Sequence, residues 1–220
     1  MDRVPSGYNK VIYIGRVPGP STSQIWDMAA KYRGAVWMVV NEPNRRPDYD
    51  ADLIVEDLHD IYRTIKTADP TAKLMSPSIL NWEFTCAGCG GGFQKGSTWV
   101  EEFRAAYMDL YGEEPPVDIW AIDVYPLDWL NRPTVDHQLA IDQVNGLRQY
   151  LDSVGQQDKP IWITELGLHW GWDDWEWFVE GCEIDGAPLP SPAGDYQTEQ
   201  VIGYLGAIFD WLDANAASKN

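Results

Sequence analysis

Apolar residues follow two alternating rhythms along the chain. Short runs with few charges occupy 11–15, 36–41, 73–78, 118–124 and 160–165. Rich in Val, Ile, Trp and Met, they read as buried strands. Between them, apolar positions recur every three or four residues, the spacing of an amphipathic helix. One such set is Ile25, Met28, Ala29 and Tyr32, with Ser21 or Ser23 as its cap. A second is Leu53, Ile54, Leu58, Ile61 and Ile65, opened by 47–50 and closed by Ala68-Asp69-Pro70. Val100, Phe103, Tyr107 and Leu110 form a third set within 99–111. Leu139, Val144, Leu147 and Leu151 form a fourth within 135–154, and Val201, Leu205, Ile208 and Leu212 a fifth within 196–214. Strand and helix alternate about five times, which predicts an α/β domain with a parallel sheet and right-handed crossovers. No linker, repeat or low-complexity stretch divides residues 1–220, so one domain is expected.

Two of the strands end alike. Val36 to Val40 leads into Asn41-Glu42-Pro43, and Pro160 to Ile163 leads into Thr164-Glu165. Pro43 has no N–H to give a ladder, so its strand should stop at Asn41 or Glu42. Each strand then delivers a carboxylate to the edge of an apolar layer. Two carboxylates at the carboxyl ends of strands suit glycoside hydrolysis, where one protonates the leaving oxygen and the other attacks the sugar. The alternative at each position is a Glu that only caps its strand or pairs with a cation.

With Asn41-Glu42-Pro43 upstream of Thr164-Glu165, the chain resembles the clan of retaining (β/α)8-barrel glycoside hydrolases over roughly residues 10 to 215. The resemblance implies a TIM-barrel-like parallel (β/α) repeat. Glu42 would end family strand four as the acid/base, and Glu165 would end strand seven as the nucleophile. Asn41 would bind the sugar 2-hydroxyl, and Tyr125, at the end of strand six, would hydrogen-bond the nucleophile. Asp123 stands where the clan often has His, so it is expected either to bind a sugar hydroxyl or to shift its neighbours' charges. The clan's Trp at the end of strand eight has no counterpart. Trp82, Trp170 and Trp172 are candidates for the aromatic floor beneath the sugar, with packing as the alternative for each.

If Glu42 ends family strand four and Glu165 strand seven, family strands one, two and eight have no counterparts, and a full barrel takes about 250 residues against the 220 here. The chain therefore resembles the middle of a barrel: a sequence fragment, an open half-barrel, or a piece completed by another chain. Its edges would then favour self-association or a complementary chain.

Composition narrows the partners. A net charge of −18 repels phosphate backbones and anionic membranes, so neither nucleic acid nor membrane is an expected partner. Twelve Trp and eleven Tyr offer faces for sugar rings as well as for packing. No apolar run is long enough to cross a membrane, and residues 1–10 lack the apolar core of a signal peptide. Cys86 and Cys89 lie in a long stretch, 81–97, that reads as part of the site or an ordered lid. A disulfide there would favour an oxidising, extracellular setting. Cys182 and His169 do not complete a zinc-ligand spacing, so no metal and no cofactor are expected. Arg16, after the first strand, is a possible support for Glu165 or for substrate.

Two functions remain in view. One is a retaining glycoside hydrolase acting on a β-linked polysaccharide or oligosaccharide. The other is a catalytically inactive carbohydrate-binding or assembly protein on a truncated barrel. Nothing in the sequence selects among xylan, mannan, β-glucan and galactan.

Overall fold

The computed structural model describes residues 9–17, 19–45, 50–83, 94–126, 135–168, 183–184, 187–188 and 198–216. The strands are β1 (Val11–Ile14), β2 (Val36–Val39), β3 (Lys73–Met75), β4 (Ile79–Leu80), β5 (Trp120–Val124) and β6 (Ile161–Leu166). The helices between and after them are α1 (Thr22–Lys31), α2 (Ala51–Ala68), α3 (Gly96–Tyr111), α4 (His137–Ser153) and α5 (Thr198–Ala216). All five expected helices form. Ser21 caps α1, its hydroxyl accepting from the Gln24 N–H while the Gln24 amide accepts from the Ser21 N–H.

β1, β2 and β3 pair in parallel, as do β4, β5 and β6. The expected strand over 73–78 is divided into β3 and β4, and Pro77 is the reason, because it cannot donate to a ladder. Ser76 covers the gap: its hydroxyl donates to the Pro77 carbonyl and accepts from the Ala121 N–H at 2.9 Å. Parallel bridges from Met75 to Ile119 and from Asn41 to Ser78 carry the pairing past the break. The result is five parallel strand positions in chain order, the arrangement of a (β/α) barrel. Among the described residues β1 and β6 do not pair with one another, so the array is open.

The two faces of the strands differ. Ile12, Ile14, Trp37, Val39, Leu74, Trp120, Ile122 and Val124 face outward and share one core with the helices. Val36, Met38, Met75, Ile119 and Ala121 form a smaller cluster on the inner face, against Trp162. At the β1 end of that inner face Val11 is 46% and Tyr13 57% exposed.

One element escaped the sequence reading. A two-residue antiparallel pair, β7 (Glu183–Ile184) with β8 (Ala187–Pro188), lies where no strand was expected. Asp185-Gly186 between them is a strong hairpin signal and could have revealed it.

Candidate active site

The carboxyl ends of β2, β4, β5 and β6 converge. β2 reaches the site through a tight exit in which Val40, at φ 68°, and Glu42, at φ 45°, are left-handed. Asn81, at the end of β4, is left-handed too, at φ 52°. Such conformations cost non-glycine residues on the order of 1–3 kcal/mol, and they collect where a side chain must be aimed. Pro43–Arg45 then forms a single 3-10 turn. Asn44 anchors that turn: its amide donates to the Leu80 and Gln94 carbonyls and accepts from the Leu80 N–H. The Glu42 N–H donates to the Ser78 carbonyl at 2.7 Å. Glu42 is thus gripped from both sides by the neighbouring strand position.

Glu42, Asp123 and Glu165 each present one carboxyl oxygen within 4.8 Å of the other two. At that distance each like-charged pair repels by about 3 kcal/mol at an effective dielectric of about 20. The spacing would accommodate a divalent cation, but the opposite charge at hand is Arg45. Its Nη1 donates to Glu42 Oε2 at 2.7 Å across the turn. On the other side, the Tyr125 hydroxyl donates to Glu165 Oε2 at 2.7 Å. Burial, then this bond to Glu165 and the surrounding carboxylates, holds the Tyr125 phenol above its ordinary value, so it stays a donor.

Asp123 is fully buried. Its Oδ1 accepts from the Thr164 hydroxyl at 2.6 Å, and Thr164 lies 2.6 Å from the Ser78 hydroxyl. Its Oδ2 has no hydrogen-bond partner among the described residues. Burial pushes the Asp123 carboxyl up to about 7; the hydroxyls of Thr164 and Ser78 pull it down, and the charges of Glu165 and Glu42 push it up.

The sequence-based candidates divide accordingly. Glu42, Glu165, Asp123 and Tyr125 meet in one place. Asn41 sits beside them, its Oδ1 buried without a hydrogen-bond partner among the described residues. Asp123 shows no surface through which it could hold a sugar hydroxyl, which leaves it the charge-shifting role. Trp82 takes the packing role. Its indole lies over Gly146 of α4, where an added Cβ would fall 2.2 Å from the ring, and against Tyr150. Trp170, Trp172, His169, Cys86, Cys89 and Cys182 lie outside the described residues. Arg16 is exposed and makes no ion pair with Glu165. Gly167, just past β6, leaves room for the Tyr125 ring, which an added Cβ would meet at 2.9 Å.

Sequence reasoning missed Arg45, Asn81 and Ser78. Arg45 was detectable, because a residue three after Glu42 shares its side of a tight turn. Asn81 was not. Its amide donates to the Tyr125 carbonyl and accepts from the Tyr125 N–H, replacing a ladder step between strand ends 44 residues apart in sequence.

Solved structures share the fold. An endo-β-1,3-glucanase of glycoside hydrolase family 128 from Pseudomonas viridiflava superposes with a TM-score of 0.50 at 22% identity, over 76% of this chain and 55% of that one. One from Sorangium cellulosum gives 0.50 at 20% identity, over 75% and 59%. An exo-β-1,3-glucanase of the same family from Cryptococcus neoformans gives 0.51 at 18% identity, over 97% and 63%. The chain thus spans somewhat more than half the length of these structures, and at such identity the likeness is one of fold. No curated protein matches in sequence. The glycosyl hydrolase catalytic core family matches residues 11–217, nearly the whole chain, and this protein belongs to that family.

Proposed function

We propose that the protein is a retaining glycoside hydrolase that cleaves β-glycosidic bonds in a glucan. The observation that carries this reading is the meeting of Glu42 and Glu165, with oxygens within 4.8 Å, at the carboxyl ends of parallel strands. Retaining enzymes hold their carboxyl groups about 5–5.5 Å apart, whereas inverting ones leave roughly 6.5–9.5 Å for a water. Glu165, held through Oε2 by Tyr125, attacks the anomeric carbon and forms a glycosyl-enzyme. Glu42 protonates the departing oxygen and then, as a base, activates the water that releases the sugar. Asn41, whose Oδ1 has no hydrogen-bond partner among the described residues, bonds the sugar 2-hydroxyl in this reading. The β-1,3-glucanase activity of the fold neighbours makes a β-1,3-linked glucan the first substrate to try. A polysaccharide substrate also implies work outside the cell.

The stereochemistry tests the mechanism. Proton NMR of a fresh digest of a β-1,3-gluco-oligosaccharide should show the β-anomer first, with the α-anomer growing in by mutarotation. The α-anomer appearing first would mean inversion. Binding without cleavage would return the chain to the inactive carbohydrate-binding reading.

The open array bears on the active unit. Among the described residues, the outer edges of β1 and β6 carry no further strand and Val11 is exposed beside β1, features of a sheet edge that favour association. We propose that the chain self-associates or takes a complementary chain there. Light scattering at micromolar concentration is expected to give a mass above that of one chain, and a monodisperse monomer would count against it.

A further inference from the structure

Each glutamate of the pair has one oxygen engaged. Glu165 Oε2 takes the Tyr125 hydroxyl, and Glu42 Oε2 takes the guanidinium of Arg45. The Glu42 side chain is only 11% exposed, and Arg45 is its one ion-pair partner among the described residues. Arg45 itself rides on the Pro43–Arg45 turn, which Asn44 fixes to Leu80 and Gln94. The backbone that carries Arg45 is therefore fixed beside the site, and its side chain, 39% exposed, reaches back across the turn to Glu42.

Resting on the glycosidase reading, we propose that Arg45 is a positioning residue for the general acid: by occupying Oε2 of Glu42 it assigns the transferable proton to Oε1. In the first step the Oε1–H bond breaks and the proton joins the leaving oxygen. That oxygen takes the electron pair of the broken glycosidic bond. The electron pair of the Oε1–H bond stays on Glu42, whose new carboxylate charge lies against the Arg45 cation. Such a charge-assisted bond is stronger in the ionised product than in the neutral acid, so it favours the transfer itself. Without Arg45, the carboxyl group can rotate and present the wrong oxygen. A misplacement of about 1 Å is enough to cost 10²-fold in rate.

Two substrates separate this role from a structural one, because kcat/KM reports steps only through formation of the glycosyl-enzyme. A β-1,3-gluco-oligosaccharide needs its leaving oxygen protonated in that step, whereas a dinitrophenyl β-glucoside does not. Arg45→Ala is expected to lower kcat/KM for the oligosaccharide on the order of 10-fold or more, a fraction of a general acid's contribution. For the dinitrophenyl glucoside kcat/KM should stay within about 2-fold, because no transition-state contact has been removed. Arg45→Lys, with one donor in place of the fork, should recover part of the loss, and so should added guanidinium with Arg45→Ala. Equal losses on both substrates, or no loss on either, would overturn the proposal while leaving the glycosidase reading intact. A wild type that cleaves neither substrate would overturn that reading and this inference together.

Discussion

Glu165→Ala is expected to stop hydrolysis of every substrate, because no glycosyl-enzyme can form without the nucleophile. Glu42→Ala should fail differently. Oligosaccharides with poor leaving groups should lose on the order of 10²–10⁴-fold, the usual share of one general acid/base. An activated aryl glycoside leaves without protonation, so its first step survives and its intermediate accumulates. Azide attacks that intermediate without a base, and should restore turnover while yielding a β-glycosyl azide. In Glu165→Ala the cavity left by the side chain admits azide from the opposite face, and the product should be the α-azide. The two anomers, read by NMR, assign the roles independently of any rate. If both Ala variants match the wild-type rate on an aryl glycoside, these residues are not the catalytic pair.

The second large effect is on stability. Asp123 ionises near 3.8 in the unfolded chain, and burial pushes it up to about 7 in the fold. Below pH 3.8 both states hold the proton. Between there and about pH 7 the unfolded chain has released it and the folded one has not, so the unfolded state binds fewer protons and stability falls as pH rises. Above about pH 7 both are ionised and the loss is complete. Roughly three pKa units at about 1.36 kcal/mol each amount to about 4 kcal/mol. Asp123→Asn abolishes this titration. Its carbonyl oxygen can keep the Thr164 bond, and its amide can take the place of the unpartnered Oδ2 facing two carboxylates. The variant should therefore match the wild type near pH 4 and exceed it at pH 8. For a domain of this size the gain corresponds to roughly 10 °C in Tm. Parallel pH–stability curves for the two proteins would show that Asp123 is not held protonated by the fold. A buried carboxyl that weakens the fold at neutral pH is the kind of cost that active sites retain.

Much of this protein was written in its sequence, and the reason is periodicity. Burial on one face repeats every 3.6 residues in α2 and α4, and strands covered on both sides, such as Val36–Val39, read as unbroken apolar runs. Asn41-Glu42-Pro43 and Thr164-Glu165 marked the two strand ends because a carboxylate after an apolar run is costly unless it is used. Tyr125 followed from the resemblance, which puts a Tyr at that strand end against the nucleophile. Tertiary structure decided everything that depends on which strand lies beside which. It set Asp123 between the two glutamates, joined Asn81 to Tyr125, and linked Ser78 to Thr164 over 86 positions of sequence. It also packed Trp82, for which the sequence left sugar stacking and packing both open, onto the surface of α4. Local pattern fixes how far each residue is buried and which element carries it. Neighbours across a parallel sheet are separated by a whole helix, so the contacts that shift a charge or aim a proton have no local signal to leave.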